Sequence, residues 1–135
     1  MRIPPRLEAF AQQKIPIIVG TTRTNGSPQM NPLWFECVDG VIWLNGGPDR
    51  AWLRHARRTG HVTLLLIDPA NMWRFAQLQG RFTEIIPDEG GANIEHLSQR
   101  YLGAPYRGPR TDRIKIRFEL DRLTGRDLGQ PWDAD

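Results

Sequence analysis

Residues Val41 to Gly60, VIWLNGGPDRAWLRHARRTG, pass from an apolar strand through a tight turn into a basic helix, and the rest of the chain is read outward from them. Gly46 and Gly47 permit close backbone approach and positive φ, and Pro48 suits a first helical turn. The sequence therefore predicts a strand over Val41 to Asn45 and a helix from about Pro48 to Arg58, closed by Gly60. Free N–H groups at the positive end of a helix dipole suit an anion, and Arg50 stands one side chain away. Taken alone, Gly-Gly-Pro before a helix reads equally well as a structural turn.

Upstream, Leu7, Phe10 and Ala11 recur at helical spacing between Pro5 and Gln13, which predicts a short amphipathic helix packed as a lid or strut. Pro16 to Thr24 is rich in β-branched residues, Asn25-Gly26-Ser27-Pro28 signals a turn, and Gln29 to Val38 resumes as a strand. Pro32 confines that strand to an edge, a bulge or a ligand-facing gap, because proline donates no ladder hydrogen bond. Asp39-Gly40 then turns the chain into Val41, so three consecutive antiparallel strands are expected.

Downstream, His61 to Asp68 reads as a continuous apolar strand, and Pro69 to Asn71 interrupts it. A long strand follows from Met72 or Trp73 to Ile86, with a bend at Gly80. Pro87-Asp88-Glu89 is expected to open a helix carrying Ile94, Leu97, Ser98, Tyr101 and Leu102 on one stripe and ending near Gly103. Thr111 to Leu123 alternates Ile114, Ile116, Phe118 and Leu120 against Lys115, Arg117 and Glu119, a strand with one wet face. From Thr124 the periodicity stops, and residues 124–135 are expected to be a partly ordered tail, with Trp132 as its one anchor.

A length of 135 residues suits one domain, 1–135, with its core over about 14–127. The net charge of +3 is small, and its arginines are dispersed among acids, so nucleic acid is not indicated as a partner. Cys37 is the only cysteine, which rules out a disulfide or a cysteine-based zinc site within one chain and makes it a packing residue rather than a nucleophile. The apolar cluster Val62 to Ile67 is too short to span a bilayer; no membrane partner is expected, and a cytoplasmic location is. His55, His61 and His96 lack metal-site spacing, so no metal is expected.

Three strands, helix, two strands, helix, strand make an α+β pattern, expected as a six-stranded antiparallel split β-barrel (Greek-key) with short flanking helices. No G-x-G-x-x-G follows the first strand, which excludes a doubly wound nucleotide fold. In order and spacing, N-G-S-P, M-N-P-L-W at Met30 to Trp34, W-L-N-G-G-P-D-R at Trp43 to Arg50, R-R-T-G-H-V, I-D-P, W-R-F-A-Q-L-Q-G-R at Trp73 to Arg81 and Q-R-Y-L-G resemble one family. It is the flavin-binding split-barrel family of pyridoxamine 5'-phosphate oxidase, in its small single-domain branch that uses FMN or coenzyme F-420. The likeness covers roughly Ile15 to Asp127.

The resemblance implies a homodimer with cofactor sites at the interface. It places Asn45, Gly46, Gly47, Pro48 and Asp49 along a phosphate turn, with Arg50 as the phosphate-binding arginine. It sets Met30, Asn31 and Pro32 beside the cofactor ring, and Trp73 and Gln77 on a strand directed to the interface. Many members carry a lysine two residues after this arginine; this chain has Trp52 there, read either as a stacking residue or as core. The expected function is hydride transfer between FMN or coenzyme F-420 and a small conjugated or aromatic substrate, with no catalytic side chain assigned because the cofactor carries the chemistry. Two other readings stay open: a split barrel that binds flavin, haem or another ligand without turnover, and a basic barrel that binds nucleic acid.

Overall fold

The run Gln29 to Val38, expected as one strand, divides at Trp34 in the computed structural model, which describes residues 1–134. β1 (Ile17–Thr22) pairs antiparallel with β2 (Pro28–Leu33), and β3 (Phe35–Val38) pairs antiparallel with β4 (Val41–Gly46). With β5 (Val62–Asp68), β6 (Asn71–Pro87) and β7 (Ile114–Asp127) they form one seven-stranded sheet in the order β2-β1-β5-β6-β7-β4-β3. The expected six strands thus become seven, and the expected three-stranded meander becomes two separate hairpins. Prolines at Pro28 and Pro32 explain why β2 stays at an edge, since neither has an N–H to offer a further neighbour.

The sheet's closure follows from the same break. Six interstrand steps would hold the edges of a flat sheet about 30 Å apart, yet β2 and β3 are joined through the single residue Trp34. The sheet must curl until its edges meet, which is the architecture of a split barrel. β6 and β7 form a long antiparallel ribbon that serves both halves: β6 pairs with β5 up to Gly80, and the first part of β7 pairs with β4. The ribbon changes register at Gln79/Gly80, where a Cβ on Gly80 would lie 2.0 Å from the Glu119 carbonyl oxygen. Only glycine fits the expected bend.

Apolar residues of alternate strand positions fill the interior, among them Ile17, Val19, Ile42, Leu44, Leu64, Leu66, Leu78 and Ile116, all fully buried. α1 (Pro5–Ala11) adds Leu7, Phe10 and Ala11 to that core. The C-terminal segment is more ordered than expected. β7 runs on to Asp127 because Arg74 to Gln77 of β6 are there to pair with it. Trp132 then folds back with 2% of its surface exposed, stacks on Phe10 at 5.1 Å between centroids, and donates Nε1–H to the Phe75 carbonyl at 2.8 Å. Asp135, the end of the expected tail, lies outside the described residues.

Both later helices start after the positions expected for them. α2 is Ala51–Thr59, with Arg50 as its N-cap and Gly60 at φ 75° as its C-cap, so Pro48 belongs to the preceding turn and not to the first helical turn. Pro87 ends β6, and a 3-10 turn over Glu89–Gly91 intervenes before α3 (Ala92–Leu102). Among the described residues no helix is long and apolar enough to cross a membrane.

Candidate functional site

Asn45, the penultimate residue of β4, is 4% exposed and uses its whole amide. Its Nδ2 donates to Asp88 Oδ2 and to Asn93 Oδ1, both at 2.9 Å, and its Oδ1 accepts from Arg113 Nε at 2.8 Å. Asp88 in turn accepts the backbone N–H groups of Asn93 (2.7 Å) and Ile94 (3.0 Å), which caps the start of α3. The end of β4 is therefore tied to α3 and to the segment entering β7. This commits the Asn45 side chain to holding the turn in place.

The turn itself differs locally from its expected form. Gly46 and Gly47 are absent from the positive-φ residues, so neither supplies a left-handed backbone, and Gly46 is needed for space. A Cβ on Gly46 would approach the Trp52 ring to 3.0 Å. Trp52 is 3% exposed, lies edge-on to Phe82 at 6.1 Å between centroids, and lines neither of the two main cavities. Its ring is covered by the chain's own atoms, which corrects the stacking reading and supports the core one. A Cβ on Gly47 would lie 3.5 Å from Arg50 Nε and 3.8 Å from Arg113 Nη1, so two guanidinium groups border the space that glycine leaves.

Pro48, Asp49 and Arg50 are exposed. The Asp49 carbonyl accepts Arg54 Nη1 at 2.6 Å, and the Arg50 carbonyl accepts the N–H groups of Leu53 and Arg54 at 3.2 Å. Among the described residues no side chain caps the first turn of α2. Its leading N–H groups consequently remain available at the positive end of the dipole.

Two cavities flank β2. One, of about 300 Å³, is lined by Pro32, Leu33, Trp34, Asn45, Tyr106 and Arg113 together with Pro16, Ile94 and Leu97. The other, of about 310 Å³, lies on the outer sheet face and includes Met30, Gln77, Ile18, Gly20, Thr63 and Leu65. Met30 and Pro32 are two residues apart on one face of β2, about 7 Å along the strand, so the cavities adjoin. Asn31 points to the other side, where Gln29 Nε2 donates to its Oδ1 at 3.1 Å. Trp73 is 65% exposed at the start of β6 and lines neither cavity. The expected site residues thus gather into a turn, Asn45 to Arg50, and a neighbouring sheet face, Met30, Pro32 and Gln77, with Trp52 buried beneath the turn and Trp73 apart from both.

The two aromatic residues of the first cavity and its arginine were not among those expected from the sequence. Trp34 stacks on Tyr101 at 5.5 Å, Tyr106 meets Trp34 edge-on at 6.4 Å, and Arg113 lies 5.3 Å over the Tyr106 ring. The sequence signal for Arg113 is misleading, since its place in the alternation of Thr111 to Leu123 assigns it to the wet face. Cys37 is buried, and burial above all pushes its thiol up to about 11, so it stays protonated and packs.

The family model described as pyridoxamine 5'-phosphate oxidase matches residues 3–124. A solved structure called F420 reductase superposes with a TM-score of 0.79 at 27% identity, covering 87% of this chain and 94% of its own. The conserved hypothetical protein Rv2991 from Mycobacterium tuberculosis gives 0.70 at 21% identity, covering 90% and 82%. HupZ from Group A Streptococcus gives 0.61 at 18% identity, covering 87% and 89%. These last two show the shared fold. Comparison with curated proteins returns no match.

Proposed function

Because the chain belongs to the pyridoxamine 5'-phosphate oxidase family, we propose that it is a flavin- or deazaflavin-dependent oxidoreductase, using FMN or coenzyme F-420 on a small conjugated or aromatic substrate. The observation that carries this reading is the Asn45–Arg50 turn beside the cavity of about 300 Å³. An uncapped helix start, an exposed arginine and a glycine-sized space between two guanidinium groups fit the anionic end of such a cofactor. Pro32, Leu33, Trp34 and Tyr106 offer apolar and aromatic walls for a flat ring system. The likeness to F420 reductase supports the deazaflavin arm of the proposal.

When bound, the flavin or deazaflavin supplies the hydride chemistry, and the protein's share is binding, orientation and exclusion of water. Asn45, locked by Asp88, Asn93 and Arg113, fixes the turn before any ligand arrives. Arg50 holds negative charge at the turn. Pro32, lacking an N–H, leaves the backbone of β2 free of a ladder donor at the cavity wall. The outer face, with Met30 69% exposed beside Ile18, Leu65 and Gln77, supports a homodimer that covers this apolar surface next to the site.

Fluorescence titration of the purified protein with FMN and with coenzyme F-420 tests the reading. Binding of at least one is expected, and Arg50→Ala should weaken it about tenfold or more, as loss of a charge-assisted hydrogen bond does. Binding of neither cofactor would overturn the proposal. Oxidation of the reduced cofactor by a conjugated acceptor faster with the protein than in free solution then separates an oxidoreductase from a barrel that only stores its ligand.

A further inference from the structure

Among the described residues Arg113 is the one buried arginine, with 8% of its surface exposed, and it lines the cavity of about 300 Å³. Among the described residues it makes no ion pair, and neither does Arg50. Its Nε donates to the neutral Asn45 amide at 2.8 Å and its Nη1 to the Tyr106 hydroxyl at 3.3 Å, while Nη2 has no hydrogen-bond partner among the described residues. The nearest compensating carboxylate in this network is Asp88, reached only through Asn45 and already accepting three N–H groups. Burying a guanidinium without a carboxylate is costly, and a second cation nearby raises that cost.

That second cation is present. Arg50 Nε and Arg113 Nη1 come within 3.5 and 3.8 Å of the point a Cβ on Gly47 would occupy. Two like charges converge on a space kept clear by a glycine.

We propose that Arg113 and Arg50 form a two-guanidinium clamp across Gly47 for a phosphate oxyanion, with Arg113 supplying the second positive charge that many family members draw from the lysine replaced here by Trp52. The clamp rests on the reading of the Asn45–Arg50 turn as the phosphate end of the site. It takes one arginine from the N-cap of α2 and the other from the segment entering β7, so the anion links two distant parts of the chain. The matching ligand group is a phosphomonoester or phosphodiester, whose non-bridging oxygens suit two planar forks better than a single carboxylate does.

Two measurements test it. In the first, the arginine Nε–Hε signals of 15N-labelled wild-type protein are followed while inorganic phosphate is added, with Arg50→Lys and Arg113→Lys used for assignment. Saturable shifts of both arginines with one shared dissociation constant are expected. A response of Arg50 alone overturns the clamp and leaves the turn as the phosphate end, and silence of both overturns clamp and turn together. A response of both, with no binding of FMN or coenzyme F-420, supports the clamp and removes the cofactor reading.

The second compares FMN with riboflavin, and coenzyme F-420 with its deazaflavin chromophore lacking the phosphate. Arg113→Gln should weaken the phosphorylated member of the preferred pair about tenfold or more and leave the other within about twofold. Equal losses for both members would assign Arg113 to positioning of the cavity and overturn the clamp. Gly47→Ala keeps both arginines, and its Cβ meets only ordinary contact distances, so the fold should persist while phosphate affinity falls. Unchanged phosphate affinity in a folded Gly47→Ala protein also counts against the clamp.

Discussion

Trp52 and Gly46 are read together, since the ring of one occupies the volume that a side chain on the other would need. The 3% exposure of Trp52 makes it a barrel-core residue at the base of α2, directly beneath the turn. Trp52→Ala should cost about 3–5 kcal/mol of stability, the usual range for emptying a buried large aromatic site, measured by urea unfolding. A loss under about 1 kcal/mol would show that the ring is not integral to the core. Its core role was only half legible, since the sequence left stacking and core both open and the burial of the ring decides between them. The role of Asn45 was not: its partners Asp88, Asn93 and Arg113 lie 43, 48 and 68 residues away, and no local pattern in the chain announces an amide shared among them. Arg113 was concealed for a related reason, since alternation within a strand predicts a wet face but not what later covers it.

Among the elements, α3 and the segment 104–113 act as a unit. Glu95 accepts Arg110 Nη2, Gln99 Nε2 at 2.8 Å and the Tyr106 N–H at 3.1 Å, which together hold its carboxyl down at about 2, with the Arg110 hydrogen bond the largest cause. This holds Tyr106 in place under Arg113. Because the folded value lies below the ordinary 4.5, the stabilisation is complete above about pH 4.5 and is lost as the pH falls towards 2. Glu95→Gln should therefore be less stable than wild type at pH 7, and the gap should close on acidification through that window. A gap of constant size from pH 7 to 2.5 would show that the carboxylate charge plays no part. The existence of all three helices was legible from apolar spacing, whereas their starts were displaced. Pro48 and Pro87 were read as helix openers; one instead belongs to a turn and the other closes a strand, because proline's fixed φ serves each of these positions equally well.

At the scale of the molecule, the outer face of β1, β2, β5 and β6 gathers Ile18, Met30, Leu65 and Gln77 on one side of the sheet, and in a dimer this face would be the natural contact. The wild-type protein is expected to sediment at twice its 15.5 kDa chain mass, and Leu65→Arg to sediment as a monomer with its fold intact. A wild-type monomer at micromolar concentration, or a Leu65→Arg dimer, would place the contact elsewhere or remove it. The barrel type was legible from element order and turn signals, while the break at Trp34 was not, since residues on both sides of it have strand character and only the exchange of partners separates them. That break has a mechanical consequence. At every other junction of neighbouring strands the wall is a ladder, and parting it means breaking hydrogen bonds in series. Between β2 and β3 there is no ladder to break, only the chain passing through Trp34 and the Tyr101 side chain that stacks on it and bridges Phe35 to Ile15, and the cavity bordered by Pro32, Leu33 and Trp34 opens along that line. The barrel is thus most compliant at its seam, where the wall can part while the remaining six ladders keep their register.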